Sequence, residues 1–230
     1  MNNVIPTTLP HGLIVSCQAL DGEPLHGPHF MAAMARAAEM GGAVGIRANT
    51  PSDIDAIRQV TTLPIIGLYK IRTEGSPVVI TPDCEAAEAI ATAGSDIIAI
   101  DATPRPRANG VTLKALIDFI HADLRKPVMA DCSCEEDALL AIDLGADIVS
   151  TTLAGYTEHG RPAMEGPDLE FLRKLVARLQ KTPVVAEGRF EDPAQVAHAF
   201  DLGAAAVVVG GAITRPQEIT RRFVRRVEER

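Results

Sequence analysis

The chain has no apolar run approaching the roughly 20 residues that a membrane-spanning helix needs. Met1 to Pro10 carries neither the basic start nor the apolar centre of a secretory leader. A soluble, cytoplasmic protein is expected. No stretch rich in Pro, Gly and Ser is placed to link two domains, so the 230 residues read as a single domain spanning 1–230. Cysteine is scarce: Cys17, Cys84, Cys132 and Cys134 are too few for a disulfide scaffold, and Cys132-Ser133-Cys134 has no second pair to complete a zinc site. Reduced thiols are the expectation. Positive charge is also short, and a net charge of −8 argues against a general nucleic-acid binder. An anionic ligand must therefore find a local positive site. His26 and His29, in the Gly- and Pro-containing segment 25–29, read as solvated loop residues rather than as a metal site.

What the chain does have is apolar residues at 47%, enough for a sizeable core, arranged in eight short runs. These are Leu13–Gln18, Ala43–Ala48, Ile65–Lys70, Ile97–Ala102, Pro127–Cys132, Ile148–Leu153, Pro183–Gly188 and Ala206–Gly211. Segments with helical periodicity, such as Glu135–Leu144 and Asp192–Leu202, lie between them, and alternation of strand and helix implies a parallel sheet. The same alternation describes an open doubly wound sheet, but eight closely similar beats favour a closed (β/α)₈ TIM barrel. The joints add a second regularity. Odd runs are preceded or opened by Pro10, Pro64, Pro127 and Pro183, and even runs follow Gly41, Gly94, Gly145 and Gly203. Glycine suits the positive φ that follows a helix, and proline suits a first strand position whose amide can be spared. Helix starts are expected at Thr50-Pro51, at Asp192-Pro193 with Gln195, at Ser133 with Glu136 and at Thr214 with Gln217.

In such a barrel the active site is built at the C-terminal ends of the strands. The odd runs reach Gln18, Lys70, Asp131 and Glu187, which stand eight, six, four and four residues after their prolines. All four offsets are even, so a side-chain period of two sends these residues to one face, expected to be the inside. Arg47 and Asp101 join them from even strands. Unpaired charge inside a barrel is expensive, so Arg47 and Asp131 read either as a structural ion pair or as substrate contacts. Lys70 and Glu187 each end an almost wholly apolar strand, where burial and neighbouring charge can tune an amine and a carboxyl for proton transfer. Gly188, Gly210 and Gly211 follow strands seven and eight beside an expected helix start, which suits a phosphate group. Arg215 would add a charge there, and Arg189 competes with it for that role.

Several segments together resemble the N-acylglucosamine-6-phosphate (N-acetylmannosamine-6-phosphate) 2-epimerase family. They are Gly67-Leu68-Tyr69-Lys70, DIIAIDAT at 96–103, Met129-Ala130-Asp131, TTLAGYT at 151–157, VVAEG at 184–188 and VVVGGAIT at 207–214, followed by Arg215-Pro216. The resemblance covers almost the whole chain. It implies interconversion of N-acetylmannosamine 6-phosphate and N-acetylglucosamine 6-phosphate in sialic-acid and amino-sugar catabolism, with no metal or nucleotide cofactor and with a homodimer as an unsurprising state. It implies catalytic roles for Lys70 and Glu187 and substrate binding by Gln18, Arg47 and Asp131. The chain departs from the family pattern at Ile71-Arg72-Thr73-Glu74.

The chemistry is removal of the C2 hydrogen from an open-chain sugar whose C1 aldehyde spreads the resulting charge onto oxygen. Return of a proton to the opposite face inverts the carbon, with Lys70 and Glu187 able to exchange the parts of base and acid. A metal-dependent pentose-phosphate epimerase would share the phosphate site but would need a convergent set of His and carboxylate ligands, which the sequence does not show. A noncatalytic sugar-phosphate sensor would be marked by loss of Lys70 or Glu187, and both are present.

Overall fold

A computed structural model describes residues 9–158, 160, 162 and 165–229. The first eight residues, on which much of the expected absence of a leader and one end of the expected 1–230 domain rest, lie outside the described residues. The strands are β1 (Gly12–Cys17), β2 (Gly45–Asn49), β3 (Ile65–Leu68), β4 (Ile97–Asp101), β5 (Val128–Asp131), β6 (Ile148–Ser150), β7 (Val184–Glu187) and β8 (Ala206–Val209). Each pairs in parallel with the next, and β8 closes on β1. The helices are α1 (Pro28–Met40), α2 (Pro51–Arg58), α3 (Cys84–Thr92), α4 (Leu113–Ala122), α5 (Glu135–Asp143), α6 (Leu169–Arg178) and α7 (Pro193–Asp201), one after each of the first seven strands. The short α8 (Gly211–Thr214) and the longer α9 (Pro216–Glu228) follow β8. The expected (β/α)₈ barrel is therefore present, and the open sheet is excluded by the β1–β8 pairing.

Side-chain alternation sorts the core into two apolar clusters. Ile14, Ile66, Ala99, Met129, Val185 and Val208 belong to a cluster inside the barrel, whereas their strand neighbours Val15, Ile65, Ile98, Val128, Val184 and Val207 pack outward under the helices. The inward series continues up the strands. Ile14 leads to Ser16 and Gln18, Ile66 and Leu68 to Lys70, Met129 to Asp131, and Val185 to Glu187, as their even offsets require.

The prolines and glycines at the joints work as their chemistry suggests. The carbonyls of Pro64, Pro127 and Pro183 accept from Ile46, Ile98 and Val149 on the neighbouring strands, so each proline joins the ladder through the one hydrogen-bonding group its backbone has. Gly94, Gly145 and Gly203 have positive φ, but after α1 it is Gly42 (φ 91°) rather than Gly41 that turns the chain. Two aspartates just before even strands hold the barrel's lower rim. Asp96 accepts from Ile65 N at 2.8 Å and pairs with Arg58, while Asp147 accepts from Val128 N at 2.7 Å and contacts His121 at 2.8 Å.

Of the expected helix starts, Thr50 caps α2 and Asp192 with Gln195 forms a capping box on α7. Two others shift. Ser133 is not the cap of α5: Cys134 occupies that position, and the Ser133 amide and hydroxyl instead bond to Asp137. Thr214 ends α8 rather than starting α9, and its hydroxyl donates to Ser16 O and Gly210 O, tying the β8 exit to β1. No described helix is long and apolar enough to cross a membrane.

Candidate active site

A cavity of about 690 Å³ opens at the C-terminal ends of the strands. Its wall includes Gln18, Lys70, Asp101, Thr152, Glu187 and Arg215. Beneath it lies a charged network that begins with Arg47, whose side chain is wholly buried at the middle of β2. Arg47 Nη1 donates to Glu187 Oε2 and, at 3.0 Å, to Thr152 Oγ1, while Nη2 donates to Asp131 Oδ2. One guanidinium thus ties together β5, β7 and the residue two positions past β6. Burial alone would weaken the arginine's hold on its proton, but the two carboxylates more than reverse that and leave it firmly charged. Asp131 is as buried as Arg47, and neither reaches the cavity wall.

Glu187 does reach the wall. Its carboxyl is pushed above the ordinary glutamate range, first by burial and then by Asp131, against the opposing pull of Arg47. Thr151 fixes the backbone at that point, accepting from Glu187 N at 3.0 Å and donating to Glu187 O at 2.9 Å.

Lys70 stands two residues beyond β3, where the chain forms an antiparallel bridge with Ile80 and Asn49 accepts from the Lys70 amide at 2.8 Å. Its amine has no ion pair among the described residues and is shifted below the usual lysine range, chiefly by burial and next by the positive charge of Arg47. β3 and β7 are four places apart in a closed ring of eight, so Lys70 and Glu187 enter the cavity from opposite sides.

Gln18 lines the cavity next to β1. Its Nε2 donates to Ser16 Oγ at 2.8 Å, which leaves Oε1 buried with no donor among the described residues. Asp101 also reaches the wall, but its oxygens are filled by Thr103 (2.9 Å from the amide, 2.6 Å from the hydroxyl) and Arg105 (2.6 Å). At the other side Gly188, Gly210, Gly211 and Arg215 line the cavity together, with Arg215 held by Glu23 at 3.0 Å and by Glu218 at 3.8 Å. Arg189 lines it too, yet its guanidinium is spent on Gly166 O (2.8 Å) and Ala154 O (2.7 Å) and lies 5.3 Å from the centre of the Tyr156 ring.

Sequence reasoning did not single out Ser16, Thr152 or Arg105. The signal that finds Thr152 is the parity it shares with Ile148 and Ser150 on β6. Arg72, in the segment that departs from the family pattern, lies on the cavity wall. Among the described residues there is no group of three or more His, Cys, Asp or Glu side chains arranged to hold a metal ion.

Comparison with known proteins gives relatives in both sequence and structure. A family model described as "Putative N-acetylmannosamine-6-phosphate epimerase" matches residues 31–229. Two proteins described as "Putative N-acetylmannosamine-6-phosphate 2-epimerase" are close in sequence: one from Caldanaerobacter subterraneus subsp. tengcongensis is 52% identical over 223 residues, 96% of this chain and 93% of that one. The other, from Listeria monocytogenes, is 44% identical over 231 residues, 100% of each chain. The solved structure of the N-acetylmannosamine-6-phosphate 2-epimerase from Clostridium perfringens superposes with a TM-score of 0.89 at 47% identity, covering 92% of this chain and 91% of that one. A thiamine phosphate pyrophosphorylase from Pyrococcus furiosus, at 18% identity and a TM-score of 0.60, shares the fold.

Proposed function

Because the chain belongs to the N-acetylmannosamine-6-phosphate 2-epimerase family, we propose that Lys70 and Glu187 are the two groups that move a proton at C2 of the sugar. The chain is a carbohydrate-phosphate epimerase, an isomerase that interconverts N-acetylmannosamine 6-phosphate and N-acetylglucosamine 6-phosphate. The observation that carries the assignment of roles is the opposed tuning of a lysine and a glutamate on opposite sides of one cavity.

With the sugar open and C1 an aldehyde, the C2 hydrogen is acidic because the carbanion's charge spreads onto O1. Neutral Lys70 takes that proton from one face. Glu187, protonated, delivers one to the other face, and the inverted carbon results. In the reverse direction the charged lysine is the acid and the glutamate the base. The two enzyme forms carry one proton between them, so a single protonation state of the pair serves both directions.

Arg47 and Asp131, proposed from sequence as substrate-binding, act on this reading through Glu187 and Lys70 rather than by touching sugar, since neither reaches the cavity wall. Gln18 keeps its proposed binding role: Oε1 is a buried acceptor awaiting a sugar hydroxyl or amide N–H. Gly188, Gly210, Gly211 and Arg215 form the proposed phosphate site. Glycine there leaves backbone amides free to approach an anion, and the first amides of a helix have no intrahelical acceptor. The cavity's volume suits a ligand of this size.

A place in sialic-acid and amino-sugar catabolism follows from the substrate, and a cytoplasmic site of action is part of the same reading, since a phosphorylated sugar does not cross a bilayer unaided. A homodimer is supported by α9, whose Phe223, Val224 and Val227 are exposed at 72%, 47% and 69%. Light scattering on the purified protein decides between monomer and dimer. The test of the mechanism is turnover in D₂O: deuterium at C2 of both epimers is the expected result, and no exchange over many turnovers overturns the scheme.

A further inference from the structure

The polar network below the cavity permits a complete count of hydrogen-bond donors and acceptors, and Thr152 is where the count is tightest. Its Oγ1 lies 2.8 Å from Asp131 Oδ1, 3.1 Å from Glu187 Oε2 and 3.0 Å from Arg47 Nη1, and within hydrogen-bond distance of Ser150 Oγ. A hydroxyl has one proton to give and two lone pairs to receive with. Asp131 Oδ1 is buried and has no other donor among the described residues, whereas Glu187 Oε2 is already served by Arg47. Leaving a buried carboxylate oxygen bare is the costlier choice, so the threonine's proton goes to Asp131. Ser150 Oγ accepts from Thr152 N at 3.1 Å and gives its own proton to Thr152 Oγ1, whose other lone pair takes an N–H of Arg47. The two protons of Arg47 Nη1 are then used, one on Thr152 and one on Glu187, and Nη2 serves Asp131 Oδ2.

The count fixes where a proton on Glu187 can sit. Oε2 faces an N–H of Arg47 and a hydroxyl oxygen with no lone pair left, so it cannot be the protonated oxygen. Oε1 has no partner among the described residues, and the side chain is 14% exposed on the cavity wall. The charge count agrees: one guanidinium is shared by two carboxylates, so one of them is better off neutral. Among the described residues each oxygen of Asp131 faces a donor, which leaves a proton on Asp131 no acceptor.

We propose that Thr152 is a positioning residue for the epimerisation: by satisfying Asp131 it leaves the shared proton to Glu187 and confines it to the cavity-facing Oε1. This rests on the reading of Glu187 as a proton carrier. Without the hydroxyl, Asp131 Oδ1 is buried with no donor and competes for the proton, and Glu187 becomes the charged partner of Arg47, unable to serve as acid.

The test is Thr152→Val beside Thr152→Ser and Glu187→Gln, with kcat and KM measured for N-acetylmannosamine 6-phosphate on protein shown to be folded. The expected result is a loss in kcat of about tenfold or more for valine, with KM within about twofold, and recovery by serine to within about threefold of the parent. A threonine that merely touched sugar, or merely filled space, would act on KM or on thermal stability and would leave kcat alone. Wild-type kcat in the valine variant, a loss confined to KM, or failure of serine to rescue would each overturn the proposal. Should the valine variant not fold, Thr152→Ala, which removes the hydroxyl without setting a new methyl against the carboxylates, is read by the same split. Glu187→Gln separates the two levels. If it is inactive while Thr152→Val is unimpaired, only the role of Thr152 falls, and if it turns over normally the assignment of Glu187 falls with it.

Discussion

Arg47 donates to Glu187 Oε2 from a position with no exposed surface, although the two residues are 140 positions apart in the chain. The second arm of the same guanidinium holds Asp131. The strand ends are therefore joined across the barrel by a cation that lies off the cavity wall, and Glu187, which does line that wall, is tuned from behind. A planar fork addresses the two carboxylates from separate nitrogens in fixed directions, which the single nitrogen of an ammonium does not do.

Arg47→Met should be costly in two separate measurements. It leaves two carboxylates buried near each other without their cation, and removing one partner of a buried ion pair costs about 3 to 5 kcal/mol. A fall in Tm together with a loss of kcat is expected. Arg47→Lys should recover part of the stability but little of the activity, because one nitrogen does not reproduce the spread of the fork that reaches Asp131, Thr152 and Glu187 from two. A lysine variant with parental kcat would show that the fork geometry is immaterial.

The pH dependence of kcat/KM should be bell-shaped in both directions of reaction. Lys70 must be neutral to act as base, and its pKa is lowered by burial and by Arg47, so activity rises with pH through that lowered value. Glu187 must hold its proton to act as acid, and its pKa is raised by burial and by Asp131, so activity falls as pH passes the raised value. The reverse reaction uses the charged lysine and the carboxylate, which differ from the forward pair only in where the one proton sits, so the same two limbs appear. Rate measurements on each epimer across pH check this, and limbs in different places for the two epimers would contradict it.

The barrel itself was legible because its signals are local and repeated: proline or glycine at each joint, an apolar run, then a capped helix. Parity was enough to send Gln18, Lys70, Asp131 and Glu187 inward, since a period of two has no ambiguity once a starting residue is known. Depth was not legible. Asp131 and Glu187 stand at equal offsets from their prolines, yet Asp131 is sealed under the site and Glu187 is on its wall, a difference set by the stagger of strands around the barrel. Nor did the sequence show that Ser133 and Thr214 would spend their hydroxyls on Asp137 and on two backbone carbonyls instead of on helix starts. Long-range partners of that kind leave no mark in local spacing.

Arg215 and Arg189 should separate cleanly. Arg215 lines the cavity beside Gly210 and Gly211, held among the described residues by acidic side chains, and an arriving phosphate can replace those by mass action of charge. Arg215→Ala should raise KM for the phosphorylated sugar by roughly tenfold to a hundredfold, as loss of a charge-assisted hydrogen bond does. Arg189 is committed to two backbone carbonyls and an aromatic face, so Arg189→Ala should lower Tm and change KM less. Equal catalytic efficiency of the parent enzyme on phosphorylated and unphosphorylated sugar would count against the whole phosphate assignment.

Lys70→Ala and Glu187→Gln give the most direct reading of the mechanism, because each removes one end of the proton path while leaving the other in place. Lys70 has no ion pair among the described residues to lose, so its truncation should leave the fold intact and cut kcat by about a hundredfold or more, the usual cost of a missing proton-transfer group. Glu187→Gln keeps the size and can still accept from Arg47 through its amide oxygen, so a sharp fall in turnover there reports proton transfer rather than packing. The two variants should differ in exchange. Glu187→Gln retains the lysine, and with the epimer whose C2 hydrogen faces Lys70 it should still remove and return that proton, washing deuterium into substrate without forming product. Lys70→Ala, lacking the base for that face, should show neither exchange nor product from the same epimer. The pattern reverses when the other epimer is supplied: the alanine variant exchanges and the glutamine variant does not. NMR of recovered sugar in D₂O distinguishes these four cases. Exchange that ignores which epimer is supplied would mean that one group, not two, serves both faces of C2.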